Sequence, residues 1–271
     1  MPLAQANGVT LYYETRGLGD AVLFLNATGW PVEVWELSCL PALAERFQTI
    51  AFDWRGVGRS TWAPGPYSTE QLAADVVGLL DALGVERAHL FAMSMGGRVA
   101  QHLALGWPER VRSQVLIATG VGRSGAGGNI PLDVALALGE RGWWGYWQEH
   151  LDQAYTFTPE FRAAHPERIE ALRQAVWAHR PPLALYLEHI DARLRHSIGD
   201  RAGEIAVPTL VLVSRGDQVA RASGNNFDAA HRLAAAIPGA ELAIVEGGRH
   251  LFLWEVPEQV TPVVTDFFGR H

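Results

Sequence analysis

The sequence predicts an α/β domain: a mostly parallel sheet with helices on both faces and a helical block inserted between two of its strands. Three observations lead there. Short apolar runs alternate with amphipathic helical stretches over residues 1–121 and again over 205–271, as expected of strand–helix–strand units. After a glycine-rich break at Gly120–Gly128, the chain from about Pro131 to Arg201 carries no strand signal and reads as helix alone. The length, 271 residues, suits one large domain with an insertion better than two independent domains. The expected division is a core of 1–121 plus 205–271 and a helical lid of 122–204.

Asn7-Gly8 is a hairpin-turn signal between the extended runs Leu3–Ala6 and Val9–Thr15. Ala21–Leu25 is uniformly apolar, as a strand buried on both faces must be. Residues Glu36–Arg46 read as a helix, and Thr49–Phe52 is another buried strand, ending at Asp53. Leu72, Val76, Leu79, Leu80 and Leu83 recur at helical spacing. Ser68 or Thr69 can cap that helix, and Gly84 stands where a helix terminates. Ala88–Met93 is a strand, Met95–Leu105 a helix stopped before Pro108, and Val111–Thr119 a strand. After the insertion come a strand at Pro208–Val213, a helix at Phe227–Ala236, a strand at Glu241–Val245 and a helix at Pro257–Phe268. A helical insertion of this kind covers the C-terminal edge of the strands, where open α/β sheets place their sites.

Composition narrows the function. Hydrophobic residues make up 48% and charged residues 19%, enough apolar material for a full core. The formal net charge is -7, without runs of like charge. That balance argues against nucleic acid or an anionic membrane as partner. One cysteine, Cys39, can form neither an internal disulfide nor a cysteine-based metal centre, and it fits a reducing compartment. No apolar run approaches the ~20 residues of a membrane span, and residues 1–14 lack a leader's basic and apolar regions. The expectation is a cytoplasmic protein without cofactor or metal, acting on a small molecule, as monomer or homodimer.

The strongest chemical signal is Ala92-Met93-Ser94-Met95-Gly96-Gly97, between an apolar strand and a helix. That context suits a nucleophile elbow, a strained turn that lifts a serine hydroxyl above the sheet at a helix N-terminus. A serine hydroxyl attacks poorly unless a base takes its proton. His250, in the loop Gly247-Gly248-Arg249-His250 after the last strand, is placed for that. Asp217, in the loop Ser214-Arg215-Gly216-Asp217 that follows the apolar run Leu210–Val213, is placed to orient the imidazole. Asp228 is the weaker rival because it opens a helix. The oxyanion needs N–H donors. Met95, next to the nucleophile, supplies one, and the loop Asn26-Ala27-Thr28-Gly29-Trp30 supplies the other, with Thr28 preferred over Ala27. Asn26 and Trp30 of that loop, with Trp143 and Trp144 of the insertion, are the expected substrate-binding residues.

With these residues in order, the chain resembles the α/β-hydrolase family over nearly its whole length. Asp53-Trp54-Arg55-Gly56-Val57-Gly58-Arg59-Ser60 is similar to that family's Asp-x-Arg-Gly-x-Gly-x-Ser loop. Trp107-Pro108-Glu109-Arg110-Val111 and the closing His250…Trp254-Glu255…Pro257-Glu258 are similar too. Asn26-Ala27 stands where most members have His-Gly, and here the chain looks more like the 3-oxoadipate enol-lactonase branch and related esterases. The resemblance implies the α/β-hydrolase fold and a serine hydrolase. Ser94 in place of an elbow aspartate disfavours dehalogenase and epoxide hydrolase chemistry.

The expected reaction is hydrolysis of a carboxylic ester or lactone through an acyl-enzyme on Ser94. The alternatives are carbon–carbon bond hydrolysis or cofactor-free perhydrolysis on the same residues, or a non-catalytic ligand receptor.

Overall fold

The computed structural model describes residues 2–122, 151–221 and 224–271. Eight strands form one sheet in the order β1-β2-β4-β3-β5-β6-β7-β10. They are β1 Leu3–Ala6, β2 Val9–Arg16, β3 Ala21–Leu25, β4 Gln48–Phe52, β5 Ala88–Met93, β6 Val111–Ile117, β7 Thr209–Ser214 and β10 Glu241–Val245. β1 and β2 pair antiparallel through the Asn7-Gly8 turn, where both residues have positive φ. From β4 across to β10 every pairing is parallel.

Parallel register explains the apolar runs. Side chains alternate between the two faces, so each central strand feeds two cores. Val22 and Phe24 of β3 join one cluster and Leu23 and Leu25 the other; Phe91 and Met93 of β5 oppose Leu90 and Ala92 in the same way. One face is covered by α2 (Thr69–Ala82), α3 (Met95–Gly106) and α7 (Asn226–Ala236). The other is covered by α9 (Pro257–Gly269) and by the segment 32–43.

Most elements form where the sequence puts them. Ser68 caps α2, its hydroxyl accepting the Gln71 N–H at 3.0 Å, and Gly84 follows with φ 65°. The exception is the helix expected over Glu36–Arg46. The chain instead makes a 3₁₀ turn at Val32–Leu37 and one α-helical turn, α1, at Leu40–Leu43. Pro41 is the cause: it has no N–H to donate to the Leu37 carbonyl, so a helix cannot run through it, and it is accommodated only in the first turn of α1.

Between β6 and β7, the described residues carry helices α4 (Pro159–Ala164), α5 (Pro166–Ala178) and α6 (Leu183–Arg195), and a 3₁₀ turn at Gly199–Glu204. An isolated bridge pairs Gly122 with Ser197. α6 is docked firmly on the core. His189 of α6 bonds the Arg55 carbonyl through Nε2 at 2.8 Å, and Glu188 accepts the Tyr67 N–H at 3.0 Å. Tyr186 packs so tightly on Gly29 that a Cβ there would lie 2.7 Å from its ring. Among the described residues, no helix is long and apolar enough to cross a membrane.

Candidate active site

Ser94, Asp217 and His250 follow β5, β7 and β10, so parallel pairing brings all three to the C-terminal edge of one sheet. Ser94 has φ 53° and ψ -108°. Such backbone costs about 1–3 kcal/mol in a non-glycine residue and persists only where its surroundings enforce it. They do so from the adjacent strand: the Ser94 N–H donates to the Ile117 carbonyl at 2.9 Å, and the Thr119 hydroxyl donates to the Ser94 carbonyl at 2.8 Å. Helix α3 then leaves directly, close against its neighbours. A Cβ on Gly96 would lie 2.1 Å from the Leu25 carbonyl oxygen, and one on Gly97 2.6 Å from Thr119 Cγ2. Ala92 is fully buried in β5, so the small residue there serves packing beneath the turn.

Asp217 and His250 meet directly. His250 Nδ1 lies 3.0 Å and 3.2 Å from the two Asp217 carboxylate oxygens. Asp217 is fully buried. Burial alone raises its pKa, but the positive charge of His250 and hydrogen bonds from His250, Asn226 and the Val219 N–H outweigh it, so the carboxyl sits below its ordinary value. An acceptor-only carboxylate at Nδ1 keeps a proton there and leaves Nε2 as the base. No hydrogen bond joins the Ser94 hydroxyl to a described residue; in resting sites that contact is often long and tightens with substrate. Asp228 is spent elsewhere, in a capping box with Asn225 at the start of α7.

The histidine loop is held from two sides. Ser214 Oγ donates to the Gly247 and Gly248 carbonyls at 3.0 Å and 2.6 Å, tying it to the acid loop. On the other side, Glu255 of α8 (Phe252–Glu255) accepts the Arg249 N–H at 2.7 Å and both the N–H and hydroxyl of Thr158, at 3.0 Å and 2.7 Å. The His250 N–H itself donates to the Tyr155 carbonyl at 3.0 Å. The insertion therefore helps fix the imidazole.

In the loop after β3, the Ala27 N–H is taken by Asn26 Oδ1 at 3.2 Å, while among the described residues nothing accepts the Thr28 N–H. The Thr28 N–H is thus unspent among the described residues, as the expectation of a donor there requires. Thr28 Oγ1 is buried and unpartnered among the described residues. Asn26 is fully buried, and its Nδ2 donates to the Pro31 carbonyl at 2.8 Å, so both ends of its amide brace its own loop. What it offers a substrate is the shape of that loop. Trp30 is buried against Trp254 at 5.2 Å between ring centroids. Trp143 and Trp144 lie outside the described residues. An apolar cavity of about 170 Å³ opens between α4, α5 and Trp254, with Phe157, Phe161 and Leu172 in its wall; neither Ser94 nor His250 lines it.

The Asp53–Ser60 loop turns out to be scaffolding. Asp53 accepts the Val32 and Arg59 N–H groups at 2.9 Å and 3.0 Å, anchoring the far end of the oxyanion loop. Arg55 makes a buried ion pair with Asp75 of α2. Gly58 is required because a Cβ there would overlap the Asp53 carboxylate.

Residues 20–257 match the model of the alpha/beta hydrolase fold family. The chain belongs to the α/β-hydrolase family. It is a hydrolase of that family, and its relatives cover it end to end. A protein of Azorhizobium caulinodans that is named, provisionally, a carbamate hydrolase (RutD) is 30% identical, over 100% of this chain and 99% of its own. The 2-hydroxy-6-oxononadienedioate/2-hydroxy-6-oxononatrienedioate hydrolase of Paraburkholderia xenovorans is also 30% identical, over 97% of this chain and 91% of its own. The crystal structure of the enol-lactonase of Burkholderia xenovorans superposes with a TM-score of 0.86 at 26% identity, covering 99% of this chain and 100% of that one.

Sequence reasoning missed Asn226, Glu255 as a clasp, and Thr119. Asn226 stands in an Asn-Asn pair at a helix start, which reads as capping; Asn225 does the capping, and Asn226 turns inward to Asp217.

Proposed function

We propose that this protein is a serine hydrolase that cleaves a carboxylic ester or lactone of a small molecule through an acyl-enzyme on Ser94. The observation that carries the reading is the buried Asp217–His250 pair at the same sheet edge as a serine held at positive φ on a helix N-terminus. His250 Nε2 takes the Ser94 proton as Oγ attacks the carbonyl carbon. The oxyanion is held by the Met95 and Thr28 N–H groups, and Asp217 stabilises the imidazolium. His250 then returns the proton to the leaving alkoxide. Water, deprotonated by the same nitrogen, releases the acid and restores Ser94.

The insertion, taken as residues 122–204, acts as the lid that encloses the substrate, with Trp30 and the tryptophans Trp143 and Trp144 contributing apolar walls. No step calls for a metal or an organic cofactor. The one cysteine, Cys39, is free and buried, so the fold needs no disulfide, which suits the cytoplasm as its compartment. Kinship with the Paraburkholderia hydrolase supports a second reading, carbon–carbon bond hydrolysis by the same residues.

The test is a panel of esters, lactones and vinylogous diketones assayed with wild type and Ser94→Ala. The proposal expects ester or lactone turnover that falls about 10³-fold or more in the variant. Near-normal turnover in folded Ser94→Ala contradicts it, and cleavage of the diketones alone selects the second reading.

A further inference from the structure

Asn226, the first residue of α7, is fully buried and carries no charge, yet its side chain is aimed at the acid. Its Nδ2 lies 3.1 Å and 3.0 Å from the two Asp217 carboxylate oxygens, and 3.1 Å from His250 Nδ1. The carboxylate is thus shared by two nitrogen donors, each facing both oxygens. The backbone fixes this placement. The Asn226 N–H donates to the Val219 carbonyl at 3.1 Å, and the Phe227 N–H donates to the Asp217 carbonyl at 3.2 Å. The small hairpin of β8 (Ala220–Arg221) and β9 (Gly224–Asn225) delivers it there.

We infer that Asn226 is a positioning residue: its amide orients the Asp217 carboxylate and draws off part of its charge, and so sets the pH at which His250 can act as base. The inference rests on the serine-hydrolase reading above. An amide donor disperses carboxylate charge, which weakens the hold of Asp217 on the imidazolium. Without it the imidazolium is held more strongly, and His250 stays protonated to higher pH. Other charged groups lie around the pair. Arg249 and Glu255 belong to the histidine's own segment, and Arg162 comes from the insertion, close to both. Among the described residues, the donors to the Asp217 carboxylate are His250, Asn226 and the Val219 N–H.

The experiment is the rate at which a fluorophosphonate labels Ser94, followed by peptide mass from pH 5 to 9. Wild type, Asn226→Ala, Asn226→Asp and Asn225→Ala are compared. Asn226→Asp keeps the shape of the side chain and replaces the donor by a second acceptor. The acid limb of the profile is expected to rise by on the order of one pH unit in Asn226→Ala and further in Asn226→Asp. Asn225→Ala, which loses the cap of the same helix, is expected to melt lower and keep the wild-type limb. Folded Asn226 variants with the wild-type limb overturn the inference. Should neither fold, the Asn226 amide resonance in wild type must shift with the midpoint of the acid limb; an amide indifferent to that titration overturns it equally. A wild type that is not labelled at Ser94 overturns the serine-hydrolase reading first, and this inference with it.

Discussion

Asp217 and Asp228 flank the same short hairpin, yet their carboxylates face different partners. Asp217 is buried against His250, and Asp228 is exposed and closes a capping box. Asp217→Asn should therefore lower turnover by roughly 10³–10⁴-fold, through loss of the tautomer with a proton on Nδ1. Asp228→Asn should leave turnover within about twofold and cost at most about 1 kcal/mol in helix stability. Steady-state kinetics and a urea titration of both variants check this; equal losses contradict it. Their placement was readable because one aspartate follows an apolar strand directly and the other opens a helix. Asn226 was not readable, because its role comes from a carboxylate reached across a hairpin, and a sequence shows such a convergence only as two asparagines in a row.

The turn between β5 and α3 shows how an element enforces a strained residue. Gly96 and Gly97 let the helix lie against β3 and Thr119, just past β6, at distances that leave no space for a methyl group. Gly96→Ala should destabilise the fold by at least about 1–3 kcal/mol, as overpacking does, and reduce activity beyond what the lost stability explains. Thermal melts paired with kinetics on the folded fraction test this, and an unaffected melting temperature contradicts it. Glu255 makes a similar argument for the histidine loop. Glu255→Gln would set an amide against three donors, and turnover should fall on the order of tenfold with little change in KM; an unchanged kcat contradicts the clasp. The apolar strands were readable because burial on both faces leaves a plain signature. The helix expected over 36–46 failed because a proline within it outweighs favourable composition.

For the chain as a whole, acid should be the vulnerable side. Burial lowers the pKa of His89 and His189 to about 4 and that of His196 to about 2. In the unfolded chain these groups titrate near pH 6.5. Below that value the unfolded state therefore binds more protons, and stability falls as the pH drops toward 4. Unfolding at pH 5 should take up about three protons through these side chains, seen as a urea midpoint that declines steeply from pH 7 to 5. His189→Gln should flatten that slope by about one proton; a midpoint flat across the window contradicts the account. The fold, and the placement of Ser94, Asp217 and His250 at one sheet edge, could be read because each follows a strand in a fixed order. The share of the helices between β6 and β7 could not, because packing of helices on loops such as Tyr186 on Gly29 leaves no periodic mark.

The central claim is that Ser94 carries the acyl group, and acid-quench mass spectrometry with an activated ester tests it most directly. The account predicts an acyl mass on the peptide containing Ser94 in wild type, and none in Ser94→Ala or His250→Ala. An enzyme that turns the ester over while Ser94 stays unmodified, or that acylates another residue, contradicts it.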